Sequence, residues 1–460
     1  MKSIKVIVPI VALAGAVLLG VTACAPGGGS APVTSKDGTS GSVPHNYKGE
    51  ITYWGWQSTD LMPAEIKAFN KVYPNIKVNY ELKVDPSNTQ SLALGLQSSS
   101  GPDLFFLPPG SSVAKFSQYT RDLTGLAQDE LGSGWKTKVS PLATSLFSDK
   151  GKLVAAATGS QTYGTWLVNK SILDKLGLDV PSSSMTMDQL TSFCKKVIAG
   201  GYQCLSLGGQ AQTLTTGVFQ EIAESIKPGV YEKAVAGTAK WTDPSLVKAL
   251  TVYESLFTSN VLQAGAVAAA PYPDLWTQFM QQKAAMTVLG TWTLGNYTKD
   301  GLTTQLKANG RTESDSFVNV LIPQPDLGLG NTPQLATSPA SGDAINLKSK
   351  NLKAAEAYIS WKDFSKAGQQ FVANALLFQP SLLGVTPQGL DFVDPSVQKD
   401  SINGIFKAAS TTTISSLVPC ASVASAIGNA LQQAGVGQSA DSVAAGLETA
   451  SAAVDRTTCS

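Results

Sequence analysis

The sequence predicts an α/β fold, and three observations carry that prediction. Strand-like and helix-like patterns alternate along most of the chain, as sheets covered by helices require. Of the 460 residues, 43% are hydrophobic and 15% charged, enough apolar material for a sizeable core. One segment, Asp103-Leu104-Phe105-Phe106-Leu107, is an apolar run of the kind found in buried parallel strands.

The N-terminus comes first. Lys2 and Lys5 precede an apolar stretch from Val6 to Leu19, too short to span a membrane, which needs ~20 residues. Val21-Thr22-Ala23-Cys24 follows and resembles the lipobox of bacterial lipoproteins. That resemblance implies a signal peptide over residues 1–23 and a lipid on Cys24. A plain secretory signal with a chance cysteine is the other reading. Residues 24–46 are rich in Gly, Ser, Pro and Thr and lack the apolar surface to fold. As a coil they span ~26 Å, the reach of a tether.

The body begins near Tyr47. Residues 51–56 read as a strand, and Gln57-Ser58-Thr59-Asp60 suits a helix cap. Pro63 fits the first turn of the helix, with Ile66, Phe69 and Val72 on one face. Ile76, Val78 and Tyr80 alternate with Lys77, Asn79 and Glu81, a half-exposed strand. Thr186 and Gln189 form a capping box, and Gly200-Gly201 ends that helix. Residues 205–207, 284–289, 317–322 and 344–347 read as strands. Residues 275–282, 354–364, 368–377 and 439–454 read as helices.

Composition excludes several chemistries. Lys+Arg is 34 and Asp+Glu 33, so no global field draws in nucleic acid. Without Lys2 and Lys5 the count is 32 basic and 33 acidic. Only Arg121, Arg311 and Arg456 are arginines, which favours a neutral ligand over a phosphate or polycarboxylate. The one histidine, His45, lies in the low-complexity stretch, so a Ser-His-Asp triad, a Cys-His pair or a multi-His zinc site in the body is ruled out. Asp and Glu could still serve a glycosidase, which needs two carboxylates ~5–9 Å apart, but no motif singles out a pair. Four cysteines remain after Cys24. In an exported chain they suggest two local disulfides, Cys194–Cys204 and Cys420–Cys459; a metal site would need closer spacing.

From Ile51 onward the chain resembles the family 1 extracellular solute-binding proteins, the group that includes maltose-binding protein. The motifs run in order: Ile51-Thr52-Tyr53-Trp54; Phe69-Asn70-Lys71-Val72-Tyr73-Pro74-Asn75-Ile76-Lys77-Val78; Gly101-Pro102-Asp103-Leu104; Asp122-Leu123-Thr124; Leu167-Val168-Asn169-Lys170. They continue with Phe279-Met280-Gln281-Gln282-Lys283-Ala284-Ala285-Met286, Gly290-Thr291-Trp292 and Lys350-Asn351-Leu352-Lys353-Ala354-Ala355. Gln282 departs from the pattern, which usually has Gly there, and Val168 stands where an aromatic residue is common.

The resemblance implies a two-lobe periplasmic-binding-protein fold, type II and maltose-binding-like, with three inter-lobe crossings near residues 153–158, 338–343 and 384–394. One lobe would comprise residues 47–156 plus 343–388, the other 157–342 plus 389–460. It implies a binding protein rather than an enzyme: a monomer without a cofactor that closes on a carbohydrate and meets ABC permease subunits, its membrane contact being the lipid. The same fold holding a non-sugar solute, such as a polyamine or a peptide, is the other reading. Sugars offer C–H faces to aromatic planes and hydroxyls to polar side chains. The expected ligand contacts are therefore Trp56, Gln57, Ser58, Tyr163, Gln210, Trp292 and Asp343. Trp54, Trp166 and Trp276 read as packing residues, and Asp103 as a residue that ends a loop.

Overall fold

The computed structural model describes residues 43–55, 61–83, 87–98, 100–312 and 316–455. The strands are β1 (Gly49–Gly55), β2 (Ile76–Leu82), β3 (Leu104–Leu107), β4 (Ser148–Asp149), β5 (Lys152–Leu153), β6 (Ala156–Tyr163), β7 (Thr165–Asn169), β8 (Gln203–Ser206), β9 (Ala284–Leu289), β10 (Asn319–Ile322), β11 (Ala336–Ile345) and β12 (Gln379–Pro380). They form a six-stranded sheet in the order β12-β6-β11-β3-β1-β2, a four-stranded sheet in the order β10-β7-β9-β8, and a small β4-β5 hairpin. Helices cover both larger sheets, so the fold is α/β with two lobes, type II in architecture.

Each larger sheet has its own core. One is built from residues 43–156 and 344–364, including Ile51, Phe69, Leu104, Phe105, Tyr358 and Trp361. The other draws on residues 166–335 and 377–447, including Trp166, Leu190, Phe219, Tyr253, Met286 and Ile427. In the first sheet β1 runs parallel to β2 and β3, while β11 is antiparallel to β3 and β6. The helix Met62–Asn70 carries Pro63 in its first turn and buries Phe69, with Ile66 and Val72 half-buried against the same core. It also buries Glu65 completely, which an apolar-face reading of the helix does not anticipate.

In the second lobe the helix Met187–Ala199 starts with the capping box: the Thr186 hydroxyl accepts from the Gln189 N–H and the Gln189 side chain accepts from the Thr186 N–H. A disulfide, Cys194–Cys204, ties this helix to β8. The Cys420–Cys459 expectation ends in Cys459, outside the described residues. Gln282 holds φ +57° in the turn before β9. The family's usual Gly is thus replaced by a side chain in the left-handed region, at a cost of about 1–2 kcal/mol.

The lobes are joined through β6 and β11. Their ladder pairs Ala336 with Tyr163 and Asp343 with Ala156, and it is broken by register shifts between Pro339 and Gly342. A bulge there bends a strand without ending it. Small residues dominate both strands, Ala-Ala-Thr-Gly-Ser in one and Ser-Pro-Ala-Ser-Gly in the other, because neighbours press on both sides. A Cβ on Gly159 would lie 2.8 Å from the Gln379 carbonyl oxygen. The buried Gln369 side chain braces the region: its amide donates to the Thr158 and Lys362 carbonyls at 3.0 Å each and accepts from the Leu382 N–H at 3.0 Å. Gly164 (φ +80°) then turns the chain into β7, where a side chain would meet the backbone at Gly217.

Candidate functional site

β8 and β9 are parallel, with Gln203 opposite Ala284 and Ser206 opposite Thr287. Their carboxyl ends lie on the same side, where open α/β sheets bind ligands. Gly290-Thr291-Trp292 leaves β9 at that end. Gly290 has no room for a side chain, since a Cβ would run into the Thr162 carbonyl and the Trp292 ring. The Thr291 hydroxyl accepts from the Thr162 N–H at 3.1 Å, which locks the turn against β6. This places the Trp292 indole 5.3 Å from the Tyr163 ring at the end of β6, inclined at 56°.

Two more rings extend the row. The Trp292 indole N–H donates to the Tyr272 hydroxyl at 2.8 Å, and the Tyr272 and Trp276 rings are 5.9 Å apart. Tyr272 is 44% exposed, whereas Trp276 is nearly buried and donates its indole N–H to Gln305 Oε1 at 3.0 Å. Burial raises the Tyr163 and Tyr272 phenols above the usual tyrosine range, with the Trp292 N–H partly offsetting this at Tyr272. Both hydroxyls are therefore neutral near pH 7.

Gln210 follows β8 at the same sheet end and is exposed. Its amide donates to the Ala268 carbonyl at 2.7 Å and its backbone N–H to the Ala269 carbonyl at 3.1 Å. Gly208 and Gly209 let the loop come this close, since Cβ atoms there would meet Pro271 and the 266–267 backbone. Gln210 thus steadies the segment that leads into Tyr272. Beside the rings lies an open groove of about 420 Å³, lined by Tyr272, Trp276, Trp292, Asn296, Asp300, Thr304 and Gln305 among others. Aromatic faces stand with amide, hydroxyl and carboxylate groups, and among the described residues no basic side chain lines it.

The model of the bacterial extracellular solute-binding protein family matches residues 55–361, two thirds of the chain. The chain belongs to that family. No curated protein sequence matches this solute-binding protein. Several solved structures share its fold. The GacH receptor of Streptomyces glaucescens, solved unliganded and with acarbose and a homolog, is 21% identical, with a TM-score of 0.64 over 88% of this chain and 98% of that one. A probable secreted solute-binding lipoprotein from Streptomyces coelicolor is 16% identical, with a TM-score of 0.65 over 88% and 99%. A sugar transporter protein from Bacillus licheniformis, in complex with stachyose, is 16% identical, with a TM-score of 0.57 over 87% and 98%. At these identities the likeness concerns the fold.

The remaining expected contacts of this solute-binding protein fall elsewhere. Asp343 is 1% exposed and sits inside the first lobe. Its Oδ1 accepts from the Tyr53 hydroxyl at 2.6 Å, and its Oδ2 meets Lys362 Nζ at 2.9 Å and the Thr158 hydroxyl at 3.4 Å. As placed, both carboxylate oxygens serve this internal network and neither is presented to a ligand. Lys362 also pairs with Glu65 Oε1 at 3.0 Å, and the Tyr358 hydroxyl donates to the same carboxylate. Burial alone would lower the lysine's pKa, but the attraction of Asp343 and Glu65 holds it well above the usual value. Asp103 is structural too: it accepts from the Thr52 N–H, the Ser349 hydroxyl and the Asn351 amide. Trp54 packs over Gly95 with the Lys83 ammonium 4.4 Å from its ring.

Trp56, Gln57, Ser58 and Cys24 lie outside the described residues. The structure therefore brings together Tyr163 and Trp292, sets Gln210 as a strut beside them, and adds Tyr272. Pro271 and Pro273 bracket Tyr272, a signal that an aromatic residue is held on a stiff loop. Among the described residues, no group of three or more His, Cys, Asp or Glu could hold a metal, and no helix is long and apolar enough to cross a membrane.

Proposed function

We propose that this solute-binding protein captures a carbohydrate between its lobes and delivers it to the permease subunits of an ABC importer. The carrying observation is the aromatic row Tyr163–Trp292–Tyr272 at the carboxyl ends of β8 and β9, next to the strands that join the lobes. Indole and phenol faces suit the C–H faces of pyranose rings, and the neutral amides and hydroxyls beside them suit sugar hydroxyls. Acarbose and stachyose in proteins of the same fold support that ligand class.

In this reading the lobes are residues 47–156 plus 343–388 and 157–342 plus 389–460. They hinge on β6, β11 and the segment around β12. The closed form gains only what the sugar contributes by touching both lobes, so closure reports occupancy to the permease. Trp56, Gln57 and Ser58, which follow β1 in the sequence, belong to the same proposed ligand site. The protein acts without chemistry and as a monomer, tethered outside the cell by a lipid on Cys24.

Calorimetry with a panel of mono- and oligosaccharides tests the reading. Trp292→Ala should weaken binding of the best sugar by roughly 1–3 kcal/mol, about 5- to 150-fold in Kd. An unchanged Kd would remove the row from the site. For the tether, Cys24→Ala should move the protein from the membrane fraction to the medium; retention would count against the lipid.

A further inference from the structure

We propose that the groove outside Trp292 is a second sugar subsite, which makes the ligand an uncharged oligosaccharide that runs from the lobe junction past Tyr272 toward the helix Lys299–Ala308. The inference rests on the carbohydrate reading above and adds the length and charge class of the ligand.

The groove is continuous with the aromatic row, because Trp292 and Tyr272 line both. Tyr272 keeps 44% of its surface in water although Pro271 and Pro273 hold it on a stiff loop, an arrangement that displays a ring. Facing it, Asp300 and Thr304 stand four residues apart on the helix, so they share one face. Both side chains are exposed. The Thr304 hydroxyl donates to the Asp300 carbonyl at 2.8 Å, so its oxygen remains to accept, and with the Asp300 carboxylate it can take neighbouring hydroxyls of one ring.

The two walls are fixed to each other. The Trp276 indole N–H donates to Gln305 Oε1 at 3.0 Å, which joins the aromatic loop to the polar helix. The floor lies at backbone level, since Gly295 and Gly301 line it and a Cβ on Gly301 would run into the Gly295 carbonyl. The volume, about 420 Å³, is within the range of small-molecule sites. Among the described residues the wall holds one carboxylate and no basic group, which disfavours an anionic sugar.

The test is calorimetry with neutral glucan and xylan oligosaccharides of one to four rings. In the series that binds, adding the ring that reaches the groove should raise affinity about five-fold or more, the worth of one or two good contacts. The double variant Asp300→Ala/Thr304→Ala should erase that gain, while Asp300→Asn, which keeps an acceptor, should retain most of it. Melting curves report whether each variant is folded. Affinity that is independent of length, or a loss in the double variant equal at every length, overturns the subsite and leaves the carbohydrate reading standing. No binding of any saccharide to the wild-type protein overturns both.

Discussion

Replacing Lys362 by Met keeps the unbranched shape of the side chain, one atom shorter, and removes its charge. Lys362 is 1% exposed and its Nζ lies 3.0 Å from Glu65 and 2.9 Å from Asp343. At an effective dielectric constant of about 20, each pair is worth roughly 5–6 kcal/mol of Coulomb attraction. Desolvating the ammonium offsets several kcal/mol of that sum. What the variant loses is dominated by the two carboxylates left buried without a cation, about 3–5 kcal/mol. With a urea slope of about 3 kcal/mol/M, the unfolding midpoint at pH 7.5 should fall by about 1–1.7 M.

The pH dependence sharpens the test. In the wild type the raised lysine pKa contributes stability that is fully present below the unfolded value and is lost only as pH rises through the folded one. The variant has no ammonium to titrate there, so its deficit against wild type should narrow once pH rises above the ordinary lysine range. A midpoint within about 0.3 M of wild type at pH 7.5, or a deficit that widens above the lysine range, would refute the reasoning.

Asp343→Asn should cost about 2–4 kcal/mol in the same assay and leave the Kd for any bound solute unchanged; a selective loss of affinity would return Asp343 to the ligand site. Gln282→Gly should relieve left-handed strain and stabilise the fold by about 0.5–1 kcal/mol in urea unfolding, after the extra entropy of Gly is subtracted; no gain would mean that the turn is unstrained. Glu221 is buried, with a pKa pushed up to about 8 and only partly lowered by the Ala336 N–H. The folded state thus keeps a proton that the unfolded chain releases near pH 4.5, and stability should fall as pH rises from about 5 to 8. Glu221→Gln should flatten that slope by up to about 1.4 kcal/mol per pH unit, the residue being Glu224, also raised to about 8. An unaltered slope would place the proton elsewhere.

The elements most legible in the sequence were those whose chemistry is local. The Thr186–Gln189 capping box and the apolar runs at 104–107 and 284–289 state their structure in a few residues. β6 and most of β11 did not read as strands, because Ala-Ala-Thr-Gly-Ser-Gln-Thr-Tyr has no alternating apolar face. Those residues are small because strands and side chains crowd them on both sides, a constraint visible only once the sheet is assembled. Glu65 and Lys362 are 297 positions apart and nothing near either announces the other. Asp343 beside a predicted crossing suggested a solute contact, whereas its partners Tyr53 and Lys362 come from distant segments. Trp292 was legible through Gly290-Thr291-Trp292. Tyr272 was not, since its role depends on an indole N–H that reaches it from another loop.

All the rings of the aromatic row are carried by the end of β6 and by the second lobe, and they are pinned by hydrogen bonds that owe nothing to the first lobe. Under the proposed function, the part of the recognition surface that these rings make is therefore assembled before any solute arrives. Encounter and capture then become separable events. Truncating the rings should act mostly on how long a sugar stays and little on how fast it lands.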